Sequence, residues 1–238
     1  MHEGRRVTVV LPAYNEEAAI GAAVRAFAAV PGVDEVLVVN NRSRDRTHEE
    51  ATAAGARVIF EERQGYGAAL TRGMRECTSE IIILAEPDNT FVATDVLKLL
   101  AYANDFDMVC GTRTAPNMIW KGANMGLAMR MGNTALAKVI QLLYGAPSMT
   151  DCGCTLRLIH RDAFKRIDPF LTVTGSHFLP EMVILALRRG VRLVEVPVNY
   201  RSRIGESKIT GSWRGTVHTA LRMGGLAVAH LFTRIPND

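Results

Sequence analysis

The stretch Ile81-Ile82-Ile83-Leu84-Ala85-Glu86-Pro87-Asp88 is an apolar run of strand length that ends in two carboxylates. A continuous apolar run of this kind is typical of a strand that is buried on both faces of a sheet. Similar runs, separated by segments with helical spacing, occupy residues 7–11, 35–39, 57–60 and 107–110. This alternation predicts a single-domain α/β fold, in which helices cover both faces of a mostly parallel, twisted sheet.

The second half of the chain is predicted to contain both helices and strands. The spacing of its apolar residues predicts helices over 123–144 and 179–189 and strands over 155–159 and 191–200. Because no low-complexity linker separates the halves, we expect these elements to complete the same sheet. A last helix is predicted over 213–234, and two interpretations stay open for it: packing on the core, or lying in a membrane interface.

The composition is that of a soluble globular protein. The 238 residues are 48% hydrophobic and 22% charged. The four cysteines are too few for a disulfide scaffold, which favours a reducing compartment. The net charge of +4 is too small to indicate nucleic-acid binding, although it permits phosphorylated or membrane-surface partners. Since the sequence has no apolar segment of signal or membrane-spanning length, we expect a cytoplasmic protein.

Polar clusters stand directly after the predicted strands. Because ligands of parallel sheets gather at the carboxyl ends of the strands, these clusters form the candidate site. Pro12, Tyr14 and Glu16 follow the first strand, and helix capping by Asn15 and the acids would leave Pro12 and Tyr14 unexplained. Residues 39–47 follow the second strand with consecutive amides that can pair with a base edge, and ordinary turn chemistry is an equal alternative.

The sharpest of these clusters is the pair Glu86 and Asp88. Two carboxylates one residue apart point to the same side of an extended segment. Such a pair can hold Mg²⁺ or Mn²⁺, which bridge carboxylates to substrate phosphates. Capping of the next helix is the alternative, but Thr94 stands closer to the start of that helix. The sequence therefore predicts a divalent metal at Glu86 and Asp88.

Basic residues form a further group: Arg113, Arg130, Arg203 and Lys208. Arg and Lys are most often solvated surface residues. The turn at 205–208 nevertheless brings hydroxyl and ammonium donors together, which suits phosphate oxygens.

Asp151 and Arg157 stand in one loop that leads into a predicted strand. An internal ion pair between the acid and the arginine is one interpretation, and a catalytic role for Asp151 is the other. Their spacing alone leaves both open.

In order and at matching spacing, these segments resemble the family 2 glycosyltransferases of the GT-A fold, most closely the dolichol- or polyprenyl-phosphate sugar synthases. The resemblance extends over residues 7–208. The matching segments are residues 12–16 (P-x-Y-N-E), 39–47 (V-D-D-x-S-x-D-x-T), 65–69 (G-x-G-x-A), 111–113 (G-S-R), 151–157 (D-x-x-S-G-F-R) and 203–208 (R-x-G-x-S-K). Three segments depart from the family pattern: Asn40 and Glu86 stand where Asp is usual, and residues 153–156 replace T-S-G-F.

The resemblance implies an inverting, metal-dependent transfer of a hexose from a UDP- or GDP-sugar to a dolichyl or polyprenyl phosphate. The implied nucleotide-sugar-binding residues are Pro12, Ala13, Tyr14, Glu16, Asn40, Ser43, Glu86, Pro87, Asp88, Arg203 and Lys208. Arg113 and Arg130 would hold the acceptor phosphate. Asp88, Arg113 and Asp151 are the implied catalytic residues, with Asp151 as the base if the acceptor is a hydroxyl.

Two other functions stay open at this point. One is a soluble glycosyltransferase with a hydroxyl acceptor in glycan assembly or secondary metabolism, and the other is a nucleotide-sugar-binding module without turnover. We divide the chain into a catalytic domain at residues 1–212 and an amphipathic helix with a tail at 213–238. The basic balance and the apolar last helix lead us to expect peripheral association with the cytoplasmic face of a membrane.

Overall fold

The strands lie where the apolar runs predict them. The computed structural model describes residues 1–204 and 213–233, and of residues 213–221 it describes the backbone only. The strands are β1 (Val7–Ala13), β2 (Glu35–Asn40), β3 (Arg57–Phe60), β4 (Ile81–Leu84), β5 (Met108–Thr112), β6 (Arg157–His160) and β7 (Leu193–Pro197). Within the described residues they form one seven-stranded sheet in the order β3-β2-β1-β4-β6-β5-β7.

Helices cover both faces of this sheet. They are α1 (Ile20–Ala28), α2 (Thr47–Ala53), α3 (Tyr66–Glu76), α4 (Val96–Leu100), α5 (Leu127–Tyr144), α6 (Arg161–Ile167), α7 (Phe178–Arg188) and α8 (Trp213–Phe232). Alternate residues of β4 belong to two separate apolar cores. Ile82 and Leu84 pack with α3 and α7, whereas Ile81 and Ile83 pack with α1 and α4. The predicted α/β architecture is therefore confirmed.

Strand β6 departs from the parallel pattern, because it runs antiparallel to both β4 and β5. The other pairs in the described sheet are parallel. Strand β5 ends at the carboxyl edge of the parallel strands, and β6 begins at that edge, with Arg157 opposite both Leu84 and Cys110. The chain between β5 and β6 therefore starts and ends at the same edge of the sheet. As a result, the loop before β6 lies beside the loop after β4.

The last helix packs on the core at its carboxyl-terminal half. Ala227 and His230 of α8 are buried, and the Tyr144 hydroxyl of α5 donates a hydrogen bond of 2.5 Å to the carbonyl of Ala227. In the part of the chain that the structure describes, no helix is long and apolar enough to cross a membrane. The boundary at residue 212 between a domain and a tail stays a prediction.

Candidate functional site

A cavity of about 200 Å³ opens at the carboxyl edge of the sheet. It lies where the loops after β1, β2 and β4 meet, as the strand-end clusters predict. The described residues that line it are Pro12, Ala13, Tyr14, Glu16, Asn41, Gln64, Gly65, Tyr66, Ala69, Glu86, Pro87, Asp88 and Arg203. Eight of the predicted nucleotide-sugar-binding residues are thus brought together around one cavity.

The loops after β1 and β2 hold each other through reciprocal hydrogen bonds. The backbone N–H of Asn15 donates to the Ser43 hydroxyl at 3.0 Å, and the Asn15 side-chain oxygen accepts from the N–H of Arg44 at 2.8 Å. The N–H of Glu16 donates to the Thr47 hydroxyl at 2.8 Å. Asn15 therefore does not cap α1, which begins at Ile20. These bonds fix the backbone that carries Tyr14 and Glu16 into the cavity.

Asn40 and Ser43 belong to this loop arrangement and are not among the described lining residues. The Asn40 side chain is buried, and its oxygen accepts the N–H of Ser43 at 2.9 Å. Their observed contacts match the turn-chemistry interpretation of residues 39–47. Their predicted role in nucleotide-sugar binding stays a prediction.

Asn41, the second of the consecutive amides and not one of the implied nucleotide-sugar-binding residues, supports one wall of the cavity. Its amide nitrogen donates to the carbonyls of Glu61 and Arg63, both at 2.9 Å, and its oxygen accepts the N–H of Gly65 at 2.8 Å. One buried side chain thus holds the loop from β3 to α3. Gly65 has a φ of 150°, and a Cβ there would lie 2.3 Å from the carbonyl oxygen of Thr174. The glycine pattern at 65–69 was the available signal for this wall.

Glu86 and Asp88 form an acidic floor. The Oδ1 atom of Asp88 accepts hydrogen bonds from the N–H of Thr90 at 3.0 Å and from its hydroxyl at 2.5 Å. The Oε1 atom of Glu86 accepts from the Thr155 hydroxyl at 2.5 Å and from the Tyr66 hydroxyl at 3.3 Å. Burial, together with the charge of Asp88, raises the pKa of Glu86 to about 7.

Arg203 is the one Arg or Lys among the described residues that line the cavity. Its Nη2 donates to Oε1 of Glu16 at 2.9 Å, and its Nη1 lies 3.1 Å from Oδ2 of Asp88 as an ion pair. The backbone of its segment is held against the acidic floor, because the N–H of Arg201 bonds the Thr90 carbonyl at 2.8 Å and that of Ile204 bonds the Asp88 carbonyl at 2.9 Å. Lys208 lies outside the described residues.

The donor set of the floor fits a hard divalent cation. Oδ2 of the fully buried Asp88 makes no hydrogen bond to any described residue. Carboxylate oxygens are the ligands that Mg²⁺ and Mn²⁺ prefer. Among the described residues there is no group of three or more His, Cys, Asp or Glu side chains arranged to hold a metal. An ion at Glu86 and Asp88 would therefore complete its shell with water or substrate oxygens, as Mg²⁺ commonly does.

Arg113 and Asp151 form a second arginine–aspartate pair, outside the cavity lining. Nε of Arg113 bonds Oδ2 of Asp151 at 2.8 Å, and its Nη2 bonds Oδ1 at 3.0 Å. Oδ1 also accepts the N–H of Gly153 at 3.2 Å. Asp151 is fully buried. Both of its oxygens are engaged, which favours the ion-pair interpretation over a general base.

The ion-pair partner of Asp151 differs from the one considered from the sequence. Arg157 is fully buried and donates to backbone carbonyls, including those of Cys152 and Leu179, both at 3.2 Å. Arg130 lies half-buried on the first turn of α5 and is not among the described lining residues. The predicted pairing of Arg113 with Arg130 around an acceptor phosphate stays a prediction.

Glu195 of β7 fixes the loop that carries Asp151. Its carboxylate accepts the N–H of Asp151 at 2.7 Å and both the N–H and the hydroxyl of Thr150, at 2.9 Å and 2.6 Å. Burial raises the pKa of the Glu195 carboxyl in spite of these bonds.

The fold matches those of solved glycosyltransferases. Glucosyl-3-phosphoglycerate synthase from Mycobacterium tuberculosis, solved in complex with Mn²⁺, UDP and phosphoglyceric acid, superposes with a TM-score of 0.73, over 98% of this chain and 80% of that chain. Its sequence is 18% identical, so this likeness concerns the fold, which is the GT-A fold.

Two curated relatives match along most of their length. A dolichyl-phosphate hexose transferase from Haloferax volcanii is 35% identical over 206 residues, which cover 85% of this chain and 86% of the relative. An undecaprenyl-phosphate mannosyltransferase from Micrococcus luteus is 28% identical over 234 residues, with 93% and 95% covered. The model of glycosyl transferase family 2 matches residues 8–168. The chain belongs to glycosyltransferase family 2, and it is an enzyme of that class.

Proposed function

We propose that this enzyme transfers a hexose, with inversion, from a nucleoside-diphosphate sugar to a polyprenyl or dolichyl phosphate, using Mg²⁺ or Mn²⁺. The observation that carries the donor side is the buried Oδ2 of Asp88, which has no hydrogen bond among the described residues and lies in one cavity with Glu86 and Arg203. The complex of the M. tuberculosis synthase with Mn²⁺ and UDP supports the same donor chemistry.

Each group of the cavity has a task in this proposal. Tyr14 lies on the loop after β1, which is hydrogen-bonded to the loop after β2, and offers an aromatic face to the nucleotide base. Glu86 and Asp88 hold the divalent ion, which supplies charge stabilisation to the departing diphosphate when bound. Arg203 neutralises diphosphate oxygens beside it. A phosphate monoester with its second pKa near 6 is already anionic at neutral pH, so the reaction requires no base.

The names of both curated relatives support a lipid-phosphate acceptor. The hydrogen bonds of the buried Asp151 support the same choice. A hydroxyl acceptor would need a base, and both oxygens of Asp151 already accept hydrogen bonds from Arg113. In this proposal Asp151 positions Arg113, and Arg113 and Arg130 hold the acceptor phosphate.

The outward face of α5 supports contact with a lipid surface. Its exposed residues are Leu127, Ala128, Met131, Gly132, Ala135, Lys138, Val139 and Leu142. Leu142 is 85% exposed and Met131 64% exposed, on a face where a soluble helix ordinarily carries polar side chains. Lys138 on that face and the net charge of +4 favour an anionic membrane. We therefore propose peripheral association of this face with anionic lipid.

The test is sugar transfer by the full chain with radiolabelled UDP- and GDP-hexoses and Mn²⁺. Acceptors are detergent-solubilised polyprenyl phosphate, a panel of alcohols, and a small phosphorylated acid. We expect metal-dependent transfer to the lipid phosphate, with loss of transfer in Asp88→Asn. Asp105→Asn, which changes an exposed carboxylate outside the site, is the matched control and retains transfer.

Transfer to an alcohol or to the small phosphorylated acid, with none to the lipid phosphate, would contradict the proposed acceptor. Binding of nucleotide sugars without release of a diphosphate would contradict catalysis of this reaction.

Flotation with anionic liposomes tests the membrane face separately. We expect the double variant Met131→Gln/Leu142→Gln to lose flotation, while Leu97→Gln, a change of a partly exposed apolar residue on α4, retains it. If the wild type, the double variant and Leu97→Gln float equally, the assignment of the α5 face is contradicted.

A further inference from the structure

The guanidinium of Arg203 spans two carboxylates of the cavity. It donates to Glu16 at 2.9 Å and lies 3.1 Å from Oδ2 of Asp88. Arg203 is the only Arg or Lys among the described residues that line the cavity, against three carboxylates there. The protein thus contains its own counter-ion for the oxygen that the proposed metal would use.

We propose that Arg203 and a divalent cation compete for Asp88. In the protein without donor, Arg203 neutralises Asp88, and when the cation binds Asp88, the guanidinium turns to the diphosphate of the donor. This inference rests on the proposed function and adds to it a coupling between metal and nucleotide. It makes Arg203 a residue that sets the order and the cooperativity of ligand binding.

The bonding of Asp88 permits one cation at a time. Oδ1 already accepts two hydrogen bonds from Thr90, which leaves Oδ2 as the oxygen open to a cation. Oδ2 is buried and has no hydrogen bond from the described residues, so its charge is balanced by Arg203 at ion-pair distance. A divalent ion at the same oxygen would repel the guanidinium across a short distance in a medium of low polarity.

The backbone of this segment allows the side chain to move alone. The N–H groups of Arg201 and Ile204 are bonded to the carbonyls of Thr90 and Asp88, on either side of Arg203. The Nε atom of Arg203 is buried without a hydrogen bond to any described residue. A buried donor without an acceptor favours binding of an anionic oxygen, which the diphosphate of the donor supplies.

The thermodynamic consequence is positive coupling. A metal that binds alone must displace Arg203 from Asp88, and among the described residues Glu16 is then the remaining acceptor of the guanidinium. A metal that binds with a nucleoside diphosphate displaces Arg203 onto the phosphate oxygens. Each ligand therefore raises the affinity for the other, by the same factor.

The test measures Mn²⁺ binding to the full chain by electron paramagnetic resonance, first without nucleotide and then with UDP or GDP. In Arg203→Gln we expect Mn²⁺ alone to bind about tenfold more tightly, and UDP or GDP with saturating Mn²⁺ to bind about tenfold more weakly. Arg203→Lys keeps the charge but cannot bridge two carboxylates, and we expect a smaller gain in Mn²⁺ affinity.

The matched control is Arg201→Gln on the same segment. Its guanidinium lies 4.3 Å from the Trp120 ring centroid and not beside Asp88, so Mn²⁺ affinity should not change. A folded Arg203→Gln protein with unchanged or weaker Mn²⁺ binding, or with binding that is undetectable in both it and the wild type, overturns the competition. If Arg203→Gln does not fold, Arg203→Lys decides, and Mn²⁺ binding no tighter than that of the wild type overturns it.

Asp88→Asn separates this inference from the proposed function. If Asp88→Asn retains Mn²⁺ binding, the metal site itself is wrong. If Asp88→Asn loses Mn²⁺ binding while Arg203→Gln gains no affinity, the metal site stands and only the competition is wrong.

Discussion

Two arginine–aspartate pairs, Arg203–Asp88 and Arg113–Asp151, lie at the same edge of the sheet and differ in how completely the carboxylate is bonded. Asp151 has both oxygens bonded to Arg113 and one of them also to the N–H of Gly153. Asp88 has one oxygen bonded twice by Thr90, while the other makes no hydrogen bond to a described residue and lies at ion-pair distance from Arg203. Both aspartates are fully buried.

The difference separates a structural carboxylate from one that is open to a ligand. A buried carboxylate with every lone pair engaged stabilises the loop that holds it. Removing its charge leaves the paired cation without a partner, which is costly. A buried carboxylate with one open oxygen in a cavity can exchange its counter-ion. Burial alone therefore does not distinguish the two roles, whereas the hydrogen bonds do.

The largest expected effect is on turnover in Asp88→Asn. Asparagine keeps an oxygen for Thr90 but removes the charge, so we expect a loss of about 10³-fold in kcat/KM, which corresponds to about 4 kcal/mol of transition-state stabilisation. The Tm should stay close to that of the wild type. Transfer assays and calorimetry on the same protein check both results, and a variant with half of the wild-type turnover would remove Asp88 from the metal site.

The next effect is on stability in Asp151→Asn. Arg113, whose side chain is 14% exposed, would be left without its counter-charge, and we expect the free energy of unfolding to fall by about 3 kcal/mol. Urea denaturation of Asp151→Asn and Asp88→Asn side by side measures the contrast. Equal stability of the two variants would show that the difference in hydrogen bonding between the two pairs does not affect the free energy of unfolding.

A smaller effect is expected in Thr155→Val, which keeps the shape of the side chain and removes the hydroxyl that donates to Glu86 at 2.5 Å. The loss of one hydrogen bond to a buried carboxyl should cost about 1 to 2 kcal/mol of unfolding free energy. Thr94→Val, which changes an exposed threonine outside this network, is the control. No difference between the two variants would mean that Tyr66 alone satisfies Glu86.

The smallest effect is a pH dependence from Glu195. Burial raises the pKa of its carboxyl in the folded protein above the ordinary value of 4.5. Between 4.5 and the raised value the folded state keeps a proton that the unfolded state loses, so stability falls as pH rises through this window. The unfolding free energy of the wild type relative to Glu195→Gln should decline over that range. A difference that grows with pH would mean that the hydrogen bonds from Thr150 and Asp151 outweigh burial.

Much of the architecture was predictable, because local patterns have local causes. The apolar runs that predicted β1, β2, β4 and β5 are buried, whereas β3 at the sheet edge is partly exposed. The segments with helical spacing between the runs predicted the helices. The lining residues Pro12, Glu86 and Asp88 stand at or just after the carboxyl ends of such strands, and the carboxyl ends of parallel strands meet at one edge. Their position around the cavity therefore follows from the order of strands and helices.

Contacts between distant segments were not predictable in the same way. Asn40 and Asn41 are adjacent amides, yet one bonds the turn after β2 and the other holds the loop from β3 to α3. The two side chains are chemically identical, so only the direction in which each one points distinguishes their contacts. The ion-pair partner of Asp151 was likewise unpredictable, since Arg113 lies 38 residues away in sequence.

The pattern of apolar and polar residues was sufficient to determine the α/β fold and the edge at which the site lies, because burial and strand order depend on short-range periodicity. The antiparallel direction of β6, the pairing of Arg113 with Asp151 and the placement of Arg203 between Glu16 and Asp88 were decided by the tertiary structure. The last of these joins residues separated by 187 positions. Such contacts depend on how the completed sheet brings its loops together, and no local pattern encodes the distance between them.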